Sequence, residues 1–178
     1  MMFRHYFALA VTVGGMALSF PAAAGDGSIH FTGTIRNATC AISINGGGPT
    51  ASITLPTVSA STLSTAGATA GRTPFNMVLS GCTGDSLGTA STHFAASTAT
   101  DLESGRLIAG GVNNVHLQLL NSNYGVIEVG KPSQNDVPVD ISSGGGTLRY
   151  YVEYYGTGAG PVSTGGMTSY VEYSIVYQ

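Results

Sequence analysis

Apolar side chains along this chain recur at every second position, in short runs closed off by glycine and proline. No stretch shows the three-to-four-residue spacing of an amphipathic helix. A period of two places one row of side chains on each face of an extended strand, so the chain is restricted to an all-β fold. Val115 to Leu120 carries Val115, Leu117 and Leu119 on one side. Pro74 to Cys82 alternates through Phe75 and Met77 before Val78-Leu79. Thr147 to Tyr155 is heavy in Tyr and Val and follows Gly144-Gly145-Gly146. Further strands are expected at Thr39 to Asn45, Ala51 to Leu55, Thr89 to Ala96, Tyr124 to Val129 and Met167 to Tyr177. Thr57 to Arg72, rich in Ser, Thr, Ala and Gly, reads as a connecting loop. Pro132 and Pro138 bracket a polar turn region. Short strands with such punctuation predict an antiparallel β-sandwich, with no internal repeat and no break in composition to mark a second domain.

The first residues read differently. Arg4 and His5 precede the uncharged run Tyr6 to Phe20, and Pro21-Ala22-Ala23-Ala24 follows. This is the pattern of an export signal over residues 1–24, cleaved before Gly25. The apolar run, roughly 15 residues, is short of the ~20 that span a bilayer. An exported remainder makes a disulfide the default reading for Cys40 and Cys82, the only cysteines.

Residues 25–178 keep five of the six Lys and Arg and all nine Asp and Glu, a net charge of −4. No basic run suggests nucleic acid as a partner. Charged residues make up 8% of the chain, so its surface is one of hydroxyls, amides and small groups that can pack against copies of itself.

Catalytic and metal motifs are lacking. Neither a nucleophile elbow, nor H-E-x-x-H, nor a phosphate loop occurs, and Cys/His spacings for zinc are absent. Gly156, Gly158 and Gly160 lie between strands without the helix a dinucleotide loop needs. His30, His93 and His116 are scattered; Asp101 and Glu103 share a polar turn and read as solvated. Asn37-Ala38-Thr39 matches a glycosylation sequon by chance. Tyr150, Tyr151, Tyr154 and Tyr155 form either a carbohydrate-binding patch or strand packing on two faces. No catalytic residue, metal ligand or cofactor is assigned, and the chain is read as non-enzymatic.

The two ends are the most informative. In Met167 to Tyr177, Met167, Val171, Tyr173, Ile175 and Tyr177 share one face with Ser169, and such a strand should pair on both edges. Near the other end, Ile29, Phe31 and Ile35 alternate, with Gly33 holding the remaining place in the row. On periodicity alone that segment reads as the first strand of its own sandwich.

SIHFTGTIRNATC, residues 28–40, resembles the N-terminus of chaperone–usher pilins of the type 1 and P pilus kind, with an apolar-x-Phe-x-Gly-x-apolar row shortly before a cysteine. Tyr177 is penultimate and Gly165 is fourteenth from the C-terminus, as in that family. TAGATAGRTPFNMVLSGC resembles the pilin segment leading to the second cysteine, and TLRYYVEYYG and SYVEYSIVYQ look like Bordetella-type fimbrial subunits. The resemblance implies an incomplete immunoglobulin-like antiparallel β-sandwich over residues 39–178, completed by a donor strand from a neighbouring subunit. It makes residues 25–38 the donor-strand extension, with Ile29, Phe31 and Ile35 filling pockets and Gly33 at a shallow point. Met167, Val171, Tyr173, Ile175 and Tyr177 become the acceptor-groove strand, and the Cys40–Cys82 disulfide ties the first strand to the end of the second. The implied partners are further copies of the chain, a periplasmic chaperone, an outer-membrane usher and other fimbrial subunits. The implied role is a structural subunit of a surface fimbria supporting cell adhesion. A minor adaptor or tip subunit with its own receptor-binding role is the alternative.

Overall fold

A computed structural model of the chain describes residues 30, 32–33, 38–84 and 87–178. The chain divides into a unit of Met1–Thr34 and a unit of Ile35–Gln178, and the architecture below is that of the second. The expected signal segment, Ile29, Phe31, Ile35 and Asn37 lie outside the described residues.

Ten strands follow one another: β1 (Thr39–Ile44), β2 (Thr69–Thr83), β3 (Thr89–Ala95), β4 (Thr100–Asp101), β5 (Arg106–Ile108), β6 (Val115–Leu120), β7 (Val126–Ile127), β8 (Val139–Asp140), β9 (Gly146–Gly156) and β10 (Glu172–Tyr177). The helical element among the described residues is one 3-10 turn, Ala60–Leu63. One sheet runs β1-β2-β9-β6-β5-β4, with β7 also on β6; the other runs β10-β3-β8. Every ladder between these strands is antiparallel.

The core lies between the sheets. Phe75, Met77 and Leu79 of β2, Leu117 and Leu119 of β6, Leu148, Tyr150 and Val152 of β9, and Ala90 and Phe94 of β3 are all buried there. These are the alternate residues of their strands, as the pleat requires. Tyr150 packs edge-on against Phe94, with ring centroids 5.2 Å apart, and lies 5.5 Å from Phe75.

Three boundaries depart from the sequence expectation. β2 starts at Thr69 rather than Pro74, because Gly71, at φ +69°, sits in a shift of register between Ala70 and Thr73 and lets the strand continue through a polar stretch. Pro74 is tolerated because β1 reaches β2 only from Met77 onward, so one edge of β2 is unpaired at Pro74. The ladder of β10 starts at Glu172 rather than Met167. Ala51 to Leu55 forms no strand: Ile53 and Leu55 are half-buried against the core, but no described strand pairs with this segment.

Candidate functional site

β10 is the strand that the fold leaves incomplete. One edge is paired with β3 from Glu172 to Tyr177; the other edge has no ladder partner among the described strands. The expected pairing on both edges is therefore not met among the described residues. The inward row Tyr173, Ile175 and Tyr177 is only half-buried, and so are Met167 and Val171, which continue the alternation ahead of the strand. All five pack against the buried core, as do half-buried Ile42, Ile53 and Leu55. Apolar side chains that touch a core yet keep part of their surface in water mark a core short of one covering element.

The missing space is a cavity of about 1330 Å³. Residues 49–55 and residues 162–173 both line it, and its apolar floor includes Phe75, Met77, Phe94 and Leu117. A single hydrogen bond joins the two rims: the Tyr173 hydroxyl donates to the Pro49 carbonyl at 2.6 Å. Burial pushes the Tyr173 phenol above its ordinary range. Ala51 to Leu55, with Ile53 and Leu55 half-buried and Ser52 and Thr54 exposed, thus has strand alternation at a rim with no strand beside it.

Cys40 and Cys82 form a disulfide with Cα atoms 4.1 Å apart. It joins β1 to the end of β2 beside the Thr39–Thr83 pair, so it fastens an edge strand that β2 alone holds in a ladder. Gly33 is the one member of the expected donor row among the described residues.

The polar groups noted in the sequence do not converge. Tyr150 is in the core, Tyr154 packs inward, and Tyr151 and Tyr155 face the other side, against Tyr124 and the Arg106 guanidinium respectively. The four tyrosines therefore form no shared patch. Asp101 accepts a hydrogen bond from Ser104 within the β4–β5 turn, which holds its carboxyl below the usual carboxylate range. His116 Nδ1 stands 3.9 Å from Asp101, and burial lowers the imidazole pKa. Among the described residues no three His, Cys, Asp or Glu side chains are grouped to hold a metal ion. Sequence reasoning missed buried Glu153, which accepts from Arg72 Nε at 2.8 Å and Gln118 Nε2 at 2.6 Å. It stands on the outward side of β9, where Arg72 and Gln118 cover it.

Two antiparallel sheets, with one edge of β10 unpaired among the described strands beside a cavity, define an incomplete immunoglobulin-like β-sandwich. A solved chaperone–usher pilus shares this fold, with a TM-score of 0.60 at 22% identity over 91% of this chain and 100% of that one. The family model for type-1 fimbrial protein A matches residues 55–178, and the chain belongs to that family. It is 42% identical to the major fimbrial subunit SMF-1 of Stenotrophomonas maltophilia, over 90% of this chain and 98% of that protein. It is 36% identical to the F17 fimbrial protein of Escherichia coli, over 86% and 88%. Fimbrial subunits of Bordetella pertussis, the kind that the last two strands resemble, are also relatives. The protein is a structural fimbrial subunit, of a family that is exported and assembled on the cell surface. This family is one of structural proteins.

Proposed function

We propose that the cavity beside β10 receives the N-terminal strand of a neighbouring copy, and that the chain polymerises by this exchange into a fimbria that supports adhesion. The observation that carries the reading is the half-buried row from Met167 to Tyr177, which borders a cavity as far as Tyr173 and whose strand β10 is paired on one edge only among the described residues. In this reading residues 1–24 are removed on export, residues 25–38 are lent to the neighbour, and residues 39–178 form the receiving domain. Ile29, Phe31 and Ile35 are the side chains that enter the groove. Each apolar side chain so buried contributes on the order of 1.5–3 kcal/mol. The lent strand also supplies main-chain hydrogen bonds to the free edge of β10 and to the rim at Ala51–Leu55.

An open groove exposes core side chains and unpaired backbone together, which is an aggregation hazard. A periplasmic chaperone covers it until an outer-membrane usher brings in the next subunit; other fimbrial subunits join at the same groove. The disulfide keeps β1 in place while the strand is absent. The length match to a major fimbrial subunit favours a stacking subunit over a tip or adaptor role.

The test is a denaturing gel of fibres sheared from cells that express the chain with its chaperone and usher, loaded unheated and boiled. A ladder of multimers that collapses on boiling is expected. A single monomer band in both lanes, from cells that export the protein, would overturn the reading.

A further inference from the structure

The sheet that holds β10 has a second side. Its strand order is β10-β3-β8, so β3 is the middle strand and only β8 covers its far edge. Thr89 exchanges both of its backbone bonds with Gln178, at the end of β10, so Ser91 and His93 also turn their backbone groups toward β10. Ala90, Thr92 and Phe94 turn theirs the other way. β8 pairs there with Thr89 and Ala90 and goes no further. Pro138, with no N–H to give, stands directly before β8, and the chain ahead of it is not a strand, with Asn135 at φ +58°. Thr92 and Phe94 thus have no strand beside them on the side of β3 away from β10.

Side chains close this edge. Asp136 Oδ2 accepts the Thr92 N–H at 2.6 Å. Gln134, buried in the fold, accepts the Phe94 N–H through Oε1 at 2.8 Å and donates Nε2 to the Phe94 carbonyl at 2.7 Å. The Gly130 N–H reaches the same carbonyl at 3.1 Å. Three of the four backbone groups that Thr92 and Phe94 turn this way are therefore taken without a strand. The plug is itself anchored. The other Asp136 oxygen accepts the Tyr150 hydroxyl and the Val137 N–H, each at 2.9 Å, and Asn121 Nδ2 donates to the Asn135 carbonyl at 2.6 Å.

A longer β8 would not have the same effect. An added strand moves the open edge outward by its own width, whereas a side-chain amide satisfies one residue and presents no continuing ladder. The two sides of one sheet differ in kind: β10 is unpaired beside a cavity, and β3 is sealed where β8 stops.

Resting on the strand-exchange reading above, we infer that Gln134 and Asp136 confine strand uptake to β10, by denying the incoming strand a second edge in the same sheet. An open edge takes up extended chain with little regard to sequence, because main-chain bonds supply the affinity. Every copy brings a strand to lend, so a second receptive edge would admit a second insert and let the polymer branch. Specificity here comes from disfavouring the wrong site.

The test uses the full chain purified as its chaperone complex and a fluorescent peptide covering residues 26–37. Peptides bound per subunit are counted by native mass spectrometry, and amide exchange reports where they lie. The native subunit is expected to take one peptide. Gln134→Ala/Asp136→Ala is expected to take a second, roughly 10- to 100-fold more tightly than any second uptake by the native subunit, the effect of a few regained backbone hydrogen bonds. Its Thr92 and Phe94 amides should exchange freely without peptide and regain protection with the second one. Gln134→Ala/Asp136→Asn, which leaves the Tyr150 hydroxyl an acceptor, serves in the same role where the first variant is not captured by the chaperone. A captured variant of either kind that stops at one peptide, or whose second peptide leaves Thr92 and Phe94 unprotected, would overturn the inference alone. A native subunit that takes no peptide would overturn the strand-exchange reading, and the inference with it.

Discussion

The side-chain amide of Gln134 pairs with both backbone groups of Phe94, accepting its N–H at 2.8 Å and donating to its carbonyl at 2.7 Å. Two residues on, an Asp136 oxygen accepts the Thr92 N–H at 2.6 Å. β8 pairs with β3 only at Thr89 and Ala90, so these side chains continue the ladder where the backbone of β8 does not reach. Gln134→Ala leaves the buried Phe94 N–H without its partner; the carbonyl keeps a bond from the Gly130 N–H. The expected cost is roughly 1–3 kcal/mol. It should appear as a lower urea midpoint at unchanged slope.

The Tyr150 hydroxyl donates to Asp136 at 2.9 Å from a ring that is 1% exposed. Burial pushes this phenol far above its ordinary value of 10.0. In the folded chain it therefore stays neutral, while in the unfolded chain it ionises near 10. Its contribution is fully present below pH ~10 and is lost as pH rises beyond, because only the unfolded state releases the proton; the slope is about 1.4 kcal/mol per pH unit for one such group. Tyr150→Phe should flatten that alkaline limb in denaturation midpoints measured from pH 8 to about pH 12. An alkaline limb of unchanged steepness would show that Tyr150 does not control it.

Replacing Cys40 and Cys82 by serine frees the edge strand β1. The chain-entropy estimate for a crosslink across 42 residues is about 4 kcal/mol. The variant is expected to be captured poorly by its chaperone, read as the yield of the purified complex. A yield equal to that of the native chain would show that β1 holds its place without the bond.

Phe31→Ala tests the other side of the junction. Removing a large aromatic side chain from a filled pocket costs ~3–5 kcal/mol in protein cores. Fibres of this variant should fall apart at a lower temperature in detergent than native fibres do, with the same folded monomer released. Equal thermal resistance would place Phe31 outside the groove.

Much of this architecture is written in the period of the apolar residues. β6 coincides with the alternation of Val115 to Leu120, and the inward face of β10 follows its row back to Met167, beyond the ladder itself. Ala51 to Leu55 is the instructive departure. Its alternation is real, with Ile53 and Leu55 inward, but a strand is defined by a partner, and none of the described strands is at its side. Thr69 to Thr73 was hidden for the opposite reason: it pairs with β9 around a bulge at Gly71 while offering little apolar character. β4 and β8, two residues each, are too short to carry a period, whereas β7, equally short, falls inside the expected Tyr124 to Val129 strand. The polar anchors Gln134, Asp136 and Glu153 were invisible because their roles depend on groups 14 to 81 residues away. The link between the groove's two rims was equally hidden, since Tyr173 reaches a carbonyl 124 residues distant.

The vacant edge of β10 also sets the symmetry of whatever is built on it. A strand from a second copy that enters there joins two different parts of the same sequence, so the contact is heterologous rather than self-complementary. Each copy then offers one receptor and one insert. Such a contact neither pairs subunits off around a two-fold axis nor branches, and unless the rotation per step happens to close a ring it continues as an unbounded helical filament with two unlike ends.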